Sequence, residues 1–458
     1  MRTEPAAASD PAAALLARYD VNAPRYTSYP TAAQFTPAVG GRERARWLAA
    51  LPDAPVSVYL HIPFCKRLCW YCGCNTRAMN RPALISSYVD LLLVEAGRVA
   101  RAAGRRLAVR FLHLGGGTPN MLAPADLERL MAGLSTAFDL GPVEEIAAEL
   151  DPEVLTPDWI AAAGRIGLTR ASLGVQDLSA QVQAAVNRPE SFATIEAAAA
   201  GLRAAGVRSL NLDLMYGLPR QGVAEVMATL EQVTALRPDR IALFGYAHVP
   251  WMKPHQRLID DTELPDGPLR FAQSRAAERF LVDRGWRAIG LDHFALPHDA
   301  LARAAAEGRL RRNFQGYTTD QADTLVGLGV SSISRFREGY VQNPSGERDW
   351  RAAVEAGDLP GARGVAVTAG DAFLAAIIER VMCDGAVDVA AVAARCGADL
   401  RDTAFAWSAL DRLEADGLII QNGATVRLTA VGRPFARVVC AAWDPTARPA
   451  EGRHARAV

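Results

Sequence analysis

Between about residues 56 and 300 one pattern repeats: a short apolar, β-rich run, a loop, then an amphipathic helical stretch. Nothing else in the chain restricts its fold so strongly. The strand candidates are VSVYLHIPF, VRFLHLGGG, EEIAAEL, RASLGVQ, SLNLDLMYG, RIALFGYAH and AIGLDHF. Helical stretches fall between them near 82–102, 124–137, 156–165, 190–205, 222–236 and 267–284. Strands read as hydrophobic on both faces, alternating with helices, pair in parallel through right-handed crossovers. That gives an α/β fold, either a βα barrel or an open doubly wound sheet, and six or seven such units favour a complete or partial barrel with its active site at the carboxyl ends of the strands. His61, Gly115 to Thr118, Glu149, Gln176, Asp213 and His248 all lie at or just after those ends.

The flanks differ from this middle. Residues 1–50 read as an arm, with a helical stretch near Pro11 to Tyr19 and then the aperiodic APRYTSYPTAAQFTP. The barrel region, 51–340, gives way to a loop-rich stretch ending in GDLPGARG, and a mostly helical domain is expected over 365–443. Within it, LDRLEADGLIIQNGATVRLTAVGR reads as a helix and a hairpin turning at Asn422-Gly423, which makes the domain winged-helix-like. The tail, 444–458, has too little apolar content to fold and is expected to be disordered.

The 458 residues carry 50 Lys plus Arg against 50 Asp plus Glu. Such a chain lacks the single-sign field that grips a nucleic-acid backbone or an anionic membrane. Without a basic stripe, the winged module is expected to pack or cover rather than read DNA. No apolar run approaches the ~18 residues of a membrane span, and the first residues lack a secretory apolar core. The expectation is a cytoplasmic enzyme with no nucleic-acid or membrane partner.

Four of the seven cysteines, Cys65, Cys69, Cys72 and Cys74, fall within ten residues, directly after the first strand. Thiols this close in a large chain more often hold a metal or cluster than form disulfides. The spacing C-x3-C-x2-C lets one loop wrap an iron-sulfur cubane on three thiolates, leaving one iron free. The alternative is a four-cysteine zinc site ending at Cys74, although zinc sites usually pair two separated knuckles. Gly115, Gly116, Gly117 and Thr118 end a strand, where missing Cβ atoms either admit a ligand to the backbone or make a tight turn. Glu149, in AELDP, is a strand-end carboxylate able to meet an ammonium or ribose hydroxyls, or else a solvated rim charge. His61 reads as a hydrogen-bonded core residue or as support for the cysteine loop.

The ordered segments PRYTSYPTA (24–32), YLHIPFC (59–65), HLGGGTP (113–119), GVQD (174–177), NLDLMYGLP (211–219), YAHVP (246–250) and RNFQGYTT (312–319) carry a resemblance over nearly the whole chain. C-x3-C-x2-C after a first barrel strand resembles the radical S-adenosylmethionine (SAM) enzymes. The extra Cys74 and these segments resemble the oxygen-independent coproporphyrinogen III oxidase family. That resemblance implies a (βα)6 radical-SAM barrel and a [4Fe-4S] cluster on Cys65, Cys69 and Cys72, with SAM on the fourth iron. It implies a 5′-deoxyadenosyl radical that takes hydrogen from the β carbon of a propionate. Loss of CO2 and an electron leaves a vinyl, and two rounds turn coproporphyrinogen III into protoporphyrinogen IX in haem biosynthesis.

By the same resemblance Cys74 and His61 are catalytic. Tyr59, Tyr71, Gly116, Gly117, Thr118 and Glu149 bind the cofactor, and Gln176, Arg188, Asp213, Ala247 and Ile333 bind a second SAM molecule. The implied partners are the tetrapyrrole and a reductant such as flavodoxin or ferredoxin, acting on a monomer. Arg25, Lys253, Arg311 and Arg312 are candidates for the propionates, Gln315 for orienting substrate, and Tyr26 and Tyr29 for covering it. Other readings are a related haem chaperone or haem-modifying radical enzyme, or a zinc knuckle on a regulatory protein. Gly245 sits where relatives commonly carry a polar residue, and the Ala-rich C-terminal region departs further from the family.

Overall fold

A computed structural model describes residues 12–447. Six strands, β1 (Val56–Ile62), β2 (Val109–Gly116), β3 (Glu145–Leu150), β4 (Arg170–Gln176), β5 (Ser209–Tyr216) and β6 (Arg240–Gly245), lie side by side in chain order and in parallel. Helices α1 (Pro82–Ala103), α2 (Pro124–Ala137), α3 (Pro157–Arg165), α4 (Phe192–Ala204) and α5 (Val223–Ala235) connect them, and α6 (Gly267–Asp283) follows β6. Local chemistry starts several of these helices. Proline occupies the first turn of α1, α2 and α3, where its missing N–H costs nothing. Thr156 Oγ1 accepts the Trp159 N–H at 3.2 Å, capping α3. Leu127, Leu130 and Leu134 form one buried stripe on α2. Val58, Leu60 and Ile62 of β1 share that core with Tyr88, Val89 and Leu92 of α1.

The strands are not hydrophobic on both faces. Tyr59, His113, Glu149, Ser172 and Asp213 alternate along them with the apolar residues and line a cavity inside the curve of the sheet. The alternation is plainest in β5, where Ser209, Asn211 and Asp213 take every second position, and reading the strands as uniformly apolar overlooked it. AIGLDHF is likewise not a seventh parallel strand. It breaks at Gly290 (φ +60) into β7 (Arg287–Ile289) and β8 (His293–Ala295), antiparallel to each other, with β8 antiparallel to β6.

On the other side of β1 the sheet continues through strands that the pattern did not announce. β9 (Leu325–Leu328) runs parallel to β1, and β10 (Ile333–Phe336), β11 (Gly339–Gln342) and β12 (Arg363–Ala366) follow antiparallel. The last two residues of GDLPGARG begin β12 rather than ending a loop. The full order is β12-β11-β10-β9-β1-β2-β3-β4-β5-β6-β8-β7, a partial barrel open between its two edges. Behind β1, Arg44 and Glu95 form a 2.8 Å ion pair with both side chains fully buried. Asn343, the Trp350 indole N–H and the Gly329 N–H complete the partners of Glu95.

The C-terminal region is mostly helical. Helix α7 (Ala369–Asp384) leads into short helices Val389–Cys396 and Ala404–Ala415 and a three-stranded sheet of Ala386–Asp388, Thr425–Leu428 and Ile419–Asn422. The hairpin turns after Asn422, with Gly423 at φ +59. The arm packs on this domain: Leu16, Tyr19, Tyr26 and Tyr29 share one core with Phe373, Phe435 and Trp443. The Tyr26 hydroxyl donates to Asp444 Oδ2 at 3.1 Å, and Asp444 is buried. The expected disordered tail therefore does not start at 444, because this carboxylate closes the core. Residues 448–458 of that tail, and Pro11 of the expected arm helix, lie outside the described residues. Among the described residues, no helix is long and apolar enough to cross a membrane.

Candidate active site

The four clustered cysteines lie on the loop that leaves β1 at the carboxyl edge of the sheet. Cys65 Sγ stands 3.0 Å from Thr76 Oγ1, and Thr118 Oγ1 donates to it at 3.4 Å. Cys69 is buried, with Arg188 Nη1 at 3.6 Å. Arg188 is itself held by Asp151 at 3.0 Å and by the Gly174 carbonyl at 2.6 Å. The loop backbone is gripped from outside. Asn187 donates to the Leu68 carbonyl at 3.1 Å, Gln256 to Tyr71 at 2.9 Å and Lys253 to Cys74 at 2.9 Å. His255 Nε2 lies 2.7 Å from the Cys72 carbonyl and His61 Nε2 2.8 Å from that of Asn75. A loop with this many fixed carbonyls presents its thiols in one arrangement.

Burial pushes the Cys65 and Cys69 thiols up from their ordinary range. Cys72 goes the other way, to about 7, mainly through a hydrogen bond with Cys74, against its own burial. All seven cysteines are free thiols. Among the described residues no three His, Cys, Asp or Glu side chains converge tightly enough for one metal ion. A cubane takes each of its thiolates on a separate iron, so three soft thiolates on one C-x3-C-x2-C loop are a donor set that suits a cluster.

Inside the barrel, register puts Tyr59 beside His113 and Glu149 beside Ser172. The Tyr59 and His113 rings stack at 5.7 Å. His113 Nε2 lies 3.1 Å from Glu149 Oε1, and the Gly116 N–H donates to Glu149 Oε2 at 3.0 Å. Burial opposes the charge on Glu149, but these two hydrogen bonds and the nearby imidazoles win, leaving its carboxyl below the ordinary range. Gly116 has φ +117, and a Cβ there would meet the His61 ring at 2.8 Å, so only glycine fits. The Tyr59 hydroxyl lies 3.1 Å from His61 Nδ1, and burial pulls the His61 pKa down. Ser172 and Asn211 both donate to Asp213, at 2.7 and 2.8 Å, while burial raises that carboxyl.

The sequence candidates thus gather into neighbouring groups. Tyr59, His61, Gly116 and Glu149 form one, and Cys65 and Thr118 a second, with Gly117 packed against Phe64 and Thr76 beside them. Cys69, Arg188 and Gln176 meet around Gly174, with Gln176 at φ +68. Tyr71 packs with Val186 and Tyr246, and Ala247 is tied to the same turn through Gln256. Ile333 stands apart at the start of β10, two strands from β1. Of the substrate candidates, Arg25, Arg312 and Gln315 line a cavity that reaches Cys74. Arg311 turns away to Glu379 on α7, 2.9 Å off, and Lys253 braces the cysteine loop instead. Tyr26 and Tyr29 lie in the arm's apolar core. His113, Thr76, Asp151 and Arg270 were not singled out from sequence. The signal for His113 was present, as a polar residue on the Val109 and Phe111 face of VRFLHLGGG.

A parallel half-barrel with three thiols on the loop after its first strand defines a radical SAM protein, and residues 59–233 match the Radical SAM superfamily. Residues 367–435 match the HemN C-terminal domain. The chain is 44% identical to an oxygen-independent coproporphyrinogen III oxidase of Bradyrhizobium diazoefficiens, over 95% of this chain and 97% of that protein. It is 37% identical to the Escherichia coli protein of the same name, over 94% of each. The solved structure of E. coli coproporphyrinogen III oxidase, described as a radical SAM enzyme, superposes with a TM-score of 0.88 at 35% identity, over 93% of this chain and all of that one. The chain belongs to the oxygen-independent coproporphyrinogen III oxidase family.

Proposed function

We propose that this radical SAM oxidoreductase decarboxylates two propionates of coproporphyrinogen III to vinyl groups, giving protoporphyrinogen IX without oxygen. The observation that carries the reading is the trio Cys65, Cys69 and Cys72 on one braced loop, beside the Glu149 group of the barrel interior. Cys65, Cys69 and Cys72 would hold a [4Fe-4S] cluster. When bound, the cluster and SAM supply the 5′-deoxyadenosyl radical with which propionate oxidation begins.

The chain's own residues position and exclude. Glu149, kept ionised by His113 and the Gly116 N–H, receives the ammonium or ribose hydroxyls of SAM. Gly116, Gly117 and Thr118 let backbone groups approach the same molecule. Tyr59 and Tyr71 shield it. His61, its pKa pulled down by burial, is held by Tyr59 and the Asn75 carbonyl and orients the cysteine loop. Gln176, Arg188 and Asp213, with Ala247 and Ile333, take a second SAM, which suits two decarboxylations. Cys74, an exposed thiol at the edge of the arginine-lined cavity, faces the substrate. The reductant is a small electron carrier such as flavodoxin or ferredoxin, and the enzyme works as a cytoplasmic monomer.

Anaerobic incubation with coproporphyrinogen III, SAM and a reductant tests this. Protoporphyrinogen IX should appear together with methionine and 5′-deoxyadenosine. SAM cleavage with no change in the tetrapyrrole would favour the haem-chaperone or haem-modifying reading.

A further inference from the structure

A cavity of about 390 Å³ opens where three parts of the chain meet. Arg25 comes from the arm, Arg270 from α6, Arg312 from the short strand Arg311–Asn313 and Arg437 from the C-terminal helix Ala436–Ala442. Six arginines line it against two carboxylates. Glu278 pairs with Arg275, and Asp292 lies 2.7 Å from His293 Nδ1 while its charge also faces Arg312 and Arg25, leaving the arginines in excess.

Arg312 is 9% exposed, yet its Nε and Nη1 are buried without a hydrogen-bond partner, as is Nε of Arg270. The Arg312 guanidinium lies over the Tyr317 ring, 4.4 Å from its centre, and its Nη2 reaches the Arg25 carbonyl at 3.4 Å. Burying cationic donors unmet is costly, so such a site is completed by an anion. Like charge is concentrated here as well. Burial, followed by Arg25, draws the Arg437 guanidinium down to about 10. Aromatic residues line the cavity as well: Tyr216, Phe244, Phe294 and Phe314.

The matching ligand has a broad apolar body and several carboxylates, for which the guanidinium fork is the best partner. The cavity reaches Cys74, and Phe244, His293 and Gln315 line both it and the smaller cavity that holds Tyr59, His113 and Glu149. We propose that Arg312, Arg270 and Arg25 hold the propionates that are not reacting, so that another propionate points into the barrel. This assignment rests on the function proposed above. The site is complete only when the arm and the C-terminal domain both sit on the barrel.

Coproporphyrin III, the fluorescent oxidised form of the substrate, can be titrated into anaerobically purified holoprotein, with its tetramethyl ester as the uncharged control. Arg312→Gln should weaken coproporphyrin III binding by about tenfold, with Arg312→Lys recovering part of the loss. Arg25 is exposed, so Arg25→Gln does not endanger folding and should weaken binding in the same direction. Neither glutamine variant should change binding of the ester, and KM for coproporphyrinogen III should rise with the coproporphyrin Kd. Unchanged affinity in both glutamine variants, or an ester that binds wild type as tightly as the acid, overturns the site. If wild-type protein neither binds coproporphyrin III nor converts coproporphyrinogen III, the proposed function fails instead.

Discussion

The Arg188 guanidinium stands between the Cys69 sulfur, 3.6 Å from Nη1, and Asp151, 3.0 Å from Nη2. One side chain therefore ties the cysteine loop to the carboxyl end of β3 and the turn after it. Both partners of the ion pair are largely buried, so removing one strands the other. Arg188→Met should lower stability by about 3 kcal/mol, measured by denaturant unfolding under anaerobic conditions. Adding Asp151→Asn should restore part of it. An unchanged midpoint in the single variant would mean that water reaches Asp151.

Cys69 is the buried member of the Cys65, Cys69 and Cys72 trio. Cys69→Ser should lose most of the iron, from about four atoms per chain in wild type, together with the brown colour and SAM cleavage. Iron analysis and the visible spectrum of air-protected material give the answer. Full iron retention would remove Cys69 from the ligand set.

Glu149 combines a low pKa with a place in the barrel cavity, which suits a charge-assisted contact with SAM. Glu149→Gln keeps the shape and removes the charge. The Kd for SAM, read by equilibrium dialysis, should rise about tenfold while the iron content stays at the wild-type level.

Asp177, the last residue of GVQD, is 2% exposed. Burial outweighs the hydrogen bonds from Gln221, Ser179 and Thr229 and raises its carboxyl to about 6. A carboxyl whose folded pKa is raised contributes its stability below the unfolded value and loses it as pH rises through the folded one. Stability should therefore fall between about pH 4 and pH 6, by about 3 kcal/mol relative to Asp177→Asn. Denaturant midpoints of the two proteins across that window provide the check. Parallel curves would show that Asp177 titrates as an exposed acid does.

The six parallel strands and their helices were legible because their periodicities repeat, and the cysteine loop because its spacing has so few chemical uses. Strands β9 to β12 were not, since each is only four residues long. His113 was hidden by the apolar run around it, although its alternate position places it against Glu149. The arginine cavity had no local signature at all. Arg25 and Arg437 are separated by most of the chain, and only tertiary packing brings them together.

The hydrogen bond between Tyr26 and Asp444 joins residues 418 positions apart. A ribosome adding 5–20 residues per second makes them roughly 20 to 80 seconds apart. For most of that interval the arm's tyrosines have been made while the partner they pack against does not yet exist. Closure of the arm onto the C-terminal domain therefore waits until residue 444 has been made, long after the barrel strands have left the ribosome.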